Sequence, residues 1–409
     1  MSKPSTNTAI LLTIFVTVFI DMLGISIVIP VIPTLFFEAD SQFFDLSVSM
    51  ERRSILYGVL VACFPLMQFF GAPILGALSD RYGRKPVLTV ALIGTFLGYI
   101  LFAYAILSHQ LWLLFFSRML PGFTGGNVAI VLSAIADISE AKDKARNFGL
   151  VGAAFGIGFI LGPTIGGLLA DDSILPWFNH ATPFWFTAAL TLFNVGLVHW
   201  RFPETLQNKR IIPLSLMTGL KNVATSFRIP ELRVIFSVVL LLSLGFTFFT
   251  QFFSVKLIQE FDYREKDIGF LFGWIGIWLV FTQGYVVRQL SGRIKAEKVL
   301  LYSIPLLTFG LTLILVPEQS FWFFVITPLV ALGQGVTSPH LTTVVSERAG
   351  TERQGEILGI SQSMQSLGAT LPPILAGYLN TLDGDYPIMA SALLTFIACV
   401  VYAFLLKRT

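Results

Sequence analysis

Twelve apolar stretches of roughly 20 residues follow one another along this chain of 409 residues, and they leave few folds open. They run over about 9–36, 54–79, 86–107, 110–136, 147–170, 182–200, 234–258, 267–290, 298–316, 321–346, 356–379 and 387–406. About 20 helical residues cross a bilayer core of about 30 Å, so each stretch is long enough to span a membrane. Lipid offers no partner to a free backbone amide, and none of the stretches alternates like a barrel strand. Helices are the spanning element that remains. Composition agrees: 12% of the residues are charged, against about a quarter in a soluble domain. The first stretch is too long for a signal-peptide core and lacks a cleavage-like end, so it is read as the first span. The expected fold class is an all-α membrane protein with 12 transmembrane helices.

The charges orient these spans. With the N-terminus inside, 21 of the 27 Lys and Arg fall in inside segments and five, Arg52, Arg53, Lys256, Arg264 and Lys266, fall outside. That asymmetry is a positive-inside signal and predicts two cytoplasmic termini. The net charge of +3 then reflects topology and gives no reason to expect nucleic acid. Cys63 and Cys399 lie inside apolar runs and imply neither a disulfide nor a metal site.

The longest inside connection, 201–233, is basic and holds Pro203, Pro213 and Pro230. It divides the chain into an N-terminal six-helix bundle (1–200), a cytoplasmic linker (201–233) and a C-terminal six-helix bundle (234–409). A weak repeat supports the division. GALSDRYGRKPVL at 76–88 meets RQLSGRIKAEKVL at 288–300, with Gly292 at the position of Asp80. Gly149, Gly158, Pro163 and Gly167 meet Gly359, Gly368, Pro373 and Gly377 at an offset of 210. Repeated halves are a common plan of secondary transporters, with the substrate site near mid-membrane. No nucleotide-binding loop is present that would suggest an ATP-driven pump.

Two charges lie well inside spans, Asp21 and Arg118. A carboxylate at that depth costs about 2.5–3.5 kcal/mol on insertion scales, and such residues mark proton or substrate pathways. Counting about 1.5 Å per residue, Asp21 lies about 18 Å in from one face and Arg118 about 12 Å in from the other, so their depths coincide. If the two face one another, the guanidinium favours the carboxylate while desolvation favours the acid, a contest that sets a proton affinity. The plainer alternative is a static ion pair. Neutral polar residues also lie within the spans: Gln68, Asn127, Gln251, Gln283, Gln334, His340, Gln362 and Gln365. Amides of this kind line a cavity or join helices; Gln362 and Gln365, three apart, share a face. His340 reads as a satisfied packing histidine.

The 76–88 loop is similar to the cytoplasmic-loop signature of the major facilitator superfamily, G-x-L-x-D-R-x-G-R-K-x-x-L, through Gly76, Leu78, Asp80, Arg81, Gly83, Arg84, Lys85 and Leu88. The fifth span, GAAFGIGFILGPTIGG from Gly152 to Gly167, resembles the glycine-and-proline signature of that superfamily's drug/proton antiporters. The first span and the run RMLPGFTGG from Arg118 resemble the tetracycline-efflux branch. The resemblance implies two pseudo-symmetric six-helix bundles around a central cavity, with the first and fourth spans side by side. It also implies proton-driven export of a lipophilic or amphipathic small molecule from the bacterial cytoplasmic membrane. Asp21 would take the proton with Arg118 as its partner. Gly76, Asp80, Arg81, Gly83, Arg84 and Lys85 would form a cytoplasmic gate closed on Asp137.

The fifth-span glycines Gly152, Gly156, Gly158, Gly162, Gly166 and Gly167, with Pro163, would pack backbones closely at the rocking seam. Gln68, Asn127, Gln251, Gln334, Gln362 and Gln365 are the substrate-cavity candidates. The tetracycline branch carries further acids in its third and ninth spans; here Gly98 stands in one place and 298–316 holds no acid. That departure points to a substrate other than tetracycline and a low proton stoichiometry. Expected partners are the substrate, protons and lipid, with no metal or cofactor and a monomeric state. An uptake carrier or facilitator for a small metabolite is the alternative on the same fold. A membrane enzyme would need a nucleophile–base or metal constellation within a span, and the sequence offers none.

Overall fold

In the computed structural model, residues 4–37, 43–44, 47–139, 144–206, 217–229, 232–290 and 293–406 are described, and these residues are helical apart from short connections. The helices are α1 (Pro4–Ser26), α2 (Val28–Phe37), α3 (Met50–Tyr82), α4 (Arg84–Leu107), α5 (Leu111–Thr124), α6 (Asn127–Ile138), α7 (Lys144–Ala170) and α8 (Thr182–Arg201). Then follow α9 (Thr218–Arg228), α10 (Arg233–Phe261), α11 (Glu265–Phe281), a π-turn (Thr282–Val286), α12 (Val287–Leu290), α13 (Ala296–Leu313), α14 (Phe321–Leu382) and α15 (Tyr386–Leu406).

Among the described residues, ten helical segments are long and apolar enough to cross a bilayer. The two further expected spans are helical as well: one is α8, and the other is the later part of α14. The chain is therefore a multi-pass, all-helical membrane protein with the twelve spans of its sequence pattern.

Three local departures have physical reasons. The loop expected between the tenth and eleventh spans is absent, and helical backbone runs through 347–355. That stretch has no proline, and its good helix formers Glu347, Arg348, Ala349, Glu352, Arg353 and Gln354 outweigh the separated glycines Gly350 and Gly355. The fourth span is broken between α5 and α6 at Gly125–Gly126, where two glycines remove the local preference for helix. The linker contains α9, which is amphipathic and docks on α14: Asn222 Nδ2 donates to Ser363 Oγ at 3.1 Å, and Ser226 Oγ to Met364 Sδ at 3.4 Å. Gly292, opposite Asp80 in the repeat, lies outside the described residues.

The chain forms two compact units, one of residues 1–31 and 63–218, the other of 32–62 and 219–409. In the first, α1 packs on α7 and α8, and α4 on α5 and α8. Its core includes Ile14, Val18, Leu88, Leu92, Ile130 and Ala134. In the second, α10 packs on α14 and α15, and α13 on α14. Its interior is aromatic around Phe249, Phe253, Phe272 and Phe323, with the Phe253 and Phe323 rings 5.3 Å apart edge to face. At the end of α10 and the start of α15, the buried Lys256 ammonium pairs with Glu260 and with Asp385, the latter at 2.5 Å.

Candidate functional site

Asp21 lies on α1 with 7% of its surface exposed. One carboxylate oxygen accepts a hydrogen bond from Asn127 Nδ2 at 2.7 Å. Asn127 is the first residue of α6, so the acid sits beside a helix N-terminus, whose aligned amides favour a negative group. The break that creates this N-terminus is tightly built. Gly125 N–H donates to Pro121 O at 2.7 Å, and Gln68 Nε2 reaches Gly125 O at 3.1 Å. A Cβ on Gly126 would stand 2.5 Å from the Ala72 Cα, so only glycine fits against α3 there.

Asp21, Asn127, Gly125, Phe64, Tyr99 and Thr95 line one small cavity with room for about one water molecule. Arg118, also buried, places its guanidinium 4.9 Å from the centre of the Phe64 ring. Tyr99 is within electrostatic reach of both Asp21 and Arg118. The structure thus gathers Asp21, Asn127, Gln68 and Arg118 around the break in the fourth span. The Asn127 amide donates a hydrogen bond to the acid, and the cation stacks on an aromatic wall of the same cavity. A carboxyl group here can hold a proton or release it to a single water.

Tyr99 was not singled out by its sequence context, although it adjoins Gly98. Gly98 packs on the Pro121 ring and brings α4 and its tyrosine against the break.

At the junction of α3 and α4, Arg84 is buried and binds three groups: Asp80 at 2.7 Å, Asp137 at 3.1 Å and Ser79 Oγ at 2.7 Å. Gly83 permits the sharp turn between the helices, at a φ of 115°. Glu204, just beyond α8, accepts from the backbone amides of Arg84 at 2.8 Å and Lys85 at 3.2 Å, capping α4 from outside it. Lys85 Nζ donates to His199 O at 2.7 Å, and Thr205 Oγ1 approaches Asp137 at 3.4 Å. Arg81 is exposed and lies over Tyr82. Around Gly76 there is open space. Glu204 and Thr205 were invisible as members of this cluster because Glu204 is 120 residues from Arg84 and Thr205 is 68 from Asp137.

The α7 glycines divide by face. Gly158, Gly162 and Gly166, four apart, lie directly on the α1 backbone at Phe19, Leu23 and Ile27. Ser26 Oγ crosses this seam to Gly158 O at 3.1 Å. Gly156, Pro163 and Gly167 are buried, whereas Gly152 faces open space. The repeat is physical: in the other unit Gly368, the counterpart of Gly158, lies on Ser243 of α10.

The remaining amides belong to the second unit. Gln251 and Gln334 are half-buried, and Gln362 and Gln365 are exposed on one face of α14. Tyr57 Oη donates to the Gln251 carbonyl at 2.7 Å, so the backbone of Gln251 is held while its side chain is left for other contacts. Among the described residues no group of three or more His, Cys, Asp or Glu is placed to hold a metal ion.

The profile of the Major Facilitator Superfamily matches residues 14–373 and again 290–409. The class H tetracycline resistance protein of Pasteurella multocida is 30% identical over 98% of this chain and 95% of its own length. The quinolone resistance protein NorA of Staphylococcus aureus is 30% identical over 92% and 91%. The crystal structure of the human organic anion transporter MFSD10 superimposes with a TM-score of 0.74 at 22% identity, covering 98% of this chain and all of that one. With a match that runs through nearly all of its spans, the chain belongs to the Major Facilitator Superfamily.

Proposed function

We propose that this protein is a proton-coupled secondary transporter that exports lipophilic or amphipathic small molecules by exposing its site alternately to the two sides of the membrane. The observation that carries the reading is Asp21, a carboxylate inside a membrane span. It is held by one neutral donor and lines a cavity at a helix break. Intramembrane acids in such positions serve ion and proton pathways, and broken spans are where transporters place their binding sites. The full-length similarity to tetracycline and quinolone resistance proteins supports drug-like substrates and outward transport. In this reading Asp21 carries the proton and Arg118 and Tyr99 set the local field. Asp80, Arg84 and Asp137, capped by Glu204, close the inner side. The protein works as a monomer in the bacterial cytoplasmic membrane, both termini inside, driven by the proton gradient without a cofactor.

The test is a panel of drug-like compounds, ethidium and tetracycline among them, on purified protein in liposomes with an imposed pH gradient. Wild type is expected to move at least one compound against its gradient with proton counterflow. Asp21→Asn is expected to bind the compound and lose that counterflow. Proton flux in the same direction as the compound would instead establish uptake. Undiminished counterflow in Asp21→Asn would remove Asp21 from the mechanism.

A further inference from the structure

His340 corrects its sequence reading. It lies within the first span of α14 with 4% of its surface exposed, and it is not satisfied. Its Nδ1 is 2.8 Å from the Val336 carbonyl, one turn back on the same helix. Its Nε2 is buried and, among the described residues, has no hydrogen-bond partner. With the Nδ1 proton donated to Val336, the neutral ring leaves a lone pair on Nε2, ready to take a proton. A polar atom buried without a partner costs roughly 1–3 kcal/mol, and in a membrane span such a group is a functional candidate by default.

Two irregularities of the backbone meet beside it. Pro339 precedes the histidine and removes the amide that would bond the Gly335 carbonyl. Gly335 in turn packs on Thr282, the first residue of the π-turn, with its would-be Cβ 2.9 Å from Thr282 Cγ2. Single π-turns within helices recur at functional sites, where a strained turn can switch between two ladders of hydrogen bonds.

The surrounding charges leave the ring to itself. On α13, Gly333 meets Leu307, Thr337 bonds Ser303 at 2.9 Å and Arg348 pairs with Glu297 at 2.9 Å. That antiparallel register puts the buried Val299 and Leu300 level with His340. Glu297 lies about one turn beyond on α13 and Arg348 about two turns beyond on α14, and the two pair with one another. On the π-turn side Gly335 meets Leu279 and Thr282, with the exposed Arg288 farther along. The charged groups of α10, Arg233, Lys256 and Glu260, lie at its two ends.

We propose that His340 is a second proton-binding site, in the unit that does not contain Asp21, whose occupancy is linked to substrate through the turn of α14 that Pro339 loosens and that packs on the π-turn at Gly335. Nε2 takes up a proton to give the imidazolium and returns it to water when substrate binds, so each cycle exchanges one more proton than Asp21 alone provides. This rests on the antiport reading above.

The full-length protein in liposomes, labelled with ¹⁵N-histidine, tests it directly, since the chain has four histidines. His340→Gln identifies the signal, and His340→Phe serves as a second variant that keeps bulk without a titrating nitrogen. The His340 ring is expected to pass from the Nδ1–H neutral form to the imidazolium as the pH is lowered, and that change is expected to move when ethidium is added. A ring that stays neutral throughout, with and without ethidium, overturns the proposal. Protons released per ethidium bound are expected to fall by about one in both variants. Equal release from wild type and both variants overturns the His340 assignment alone. No release from wild type overturns it together with the antiport reading.

Discussion

At the scale of single residues, the strongest contrasts come from groups bound on several sides. Arg84 holds two carboxylates and a hydroxyl through one planar fork. Lysine offers a point charge instead of that fork. Arg84→Lys is therefore expected to recover little of what Arg84→Ala loses. Each charged hydrogen bond removed costs about 1.5–3 kcal/mol, read as a lowered Tm in detergent, with turnover falling alongside. Asp80→Asn keeps the shape of the cluster and removes one charge; lost turnover with retained binding is expected, and unchanged turnover would reduce the loop to a topology anchor.

The acid itself was legible in the sequence because twenty apolar neighbours make one carboxylate conspicuous. Its surroundings were less so. Depth can be counted along a span, but the direction in which a side chain turns depends on packing. Asn127, read as a cavity amide, bonds Asp21, and Arg118, matched to Asp21 by depth, lies over Phe64. His340 was misjudged for the same reason, since nothing in the letters shows whether an imidazole nitrogen finds a partner.

At the scale of elements, the glycine pattern of the fifth span predicted close packing, and the structure supplies its partner, α1. The face-specific contacts give a sharp test. Gly162→Leu drives a side chain into Ser26 and the Leu23 carbonyl, and overpacking of this kind costs about 1–3 kcal/mol. Gly152→Ala enters open space and is expected to be neutral or to stabilise the helix by up to about 1 kcal/mol. Thermal unfolding of the two variants separates the outcomes; equal Tm values would refute the seam. The uninterrupted backbone of α14 was hidden because charged residues between two apolar runs suggest a loop, yet the same residues are strong helix formers.

At the scale of the whole molecule, the spans and their number were readable from the periodic exchange of apolar and polar stretches, and the superfamily from its resemblance at the 76–88 loop and the fifth span. The assignment of residues 32–62 to a compact unit with 219–409 was not, because it depends on contacts between remote segments. The charge asymmetry predicts topology that can be checked in cells. After replacement of Cys63 and Cys399, Asp172→Cys is expected to react with a membrane-impermeant maleimide in intact cells. Arg81→Cys should react only after permeabilisation, and the reverse pattern would invert the orientation. Lys256→Met leaves Glu260 and Asp385, both about one-third exposed, facing one another without their cation, which lowers stability by less than the loss of a fully buried partner would. Added acid should restore part of that loss, measured as Tm against pH.

The short helix α6 touches both working parts of the first unit. Its first residue, Asn127, grips Asp21, and Asp137 near its other end grips Arg84. Ten residues separate the grips, an arm of about 15 Å, and two glycines interrupt the helix between this arm and α5. A swing of about 10° at that pivot would carry the far tip by nearly 3 Å on an arm of this length, which is enough to part a guanidinium from a carboxylate. If Asp21 carries the proton as proposed, α6 is the element that would pass its arrival on to the Arg84 cluster.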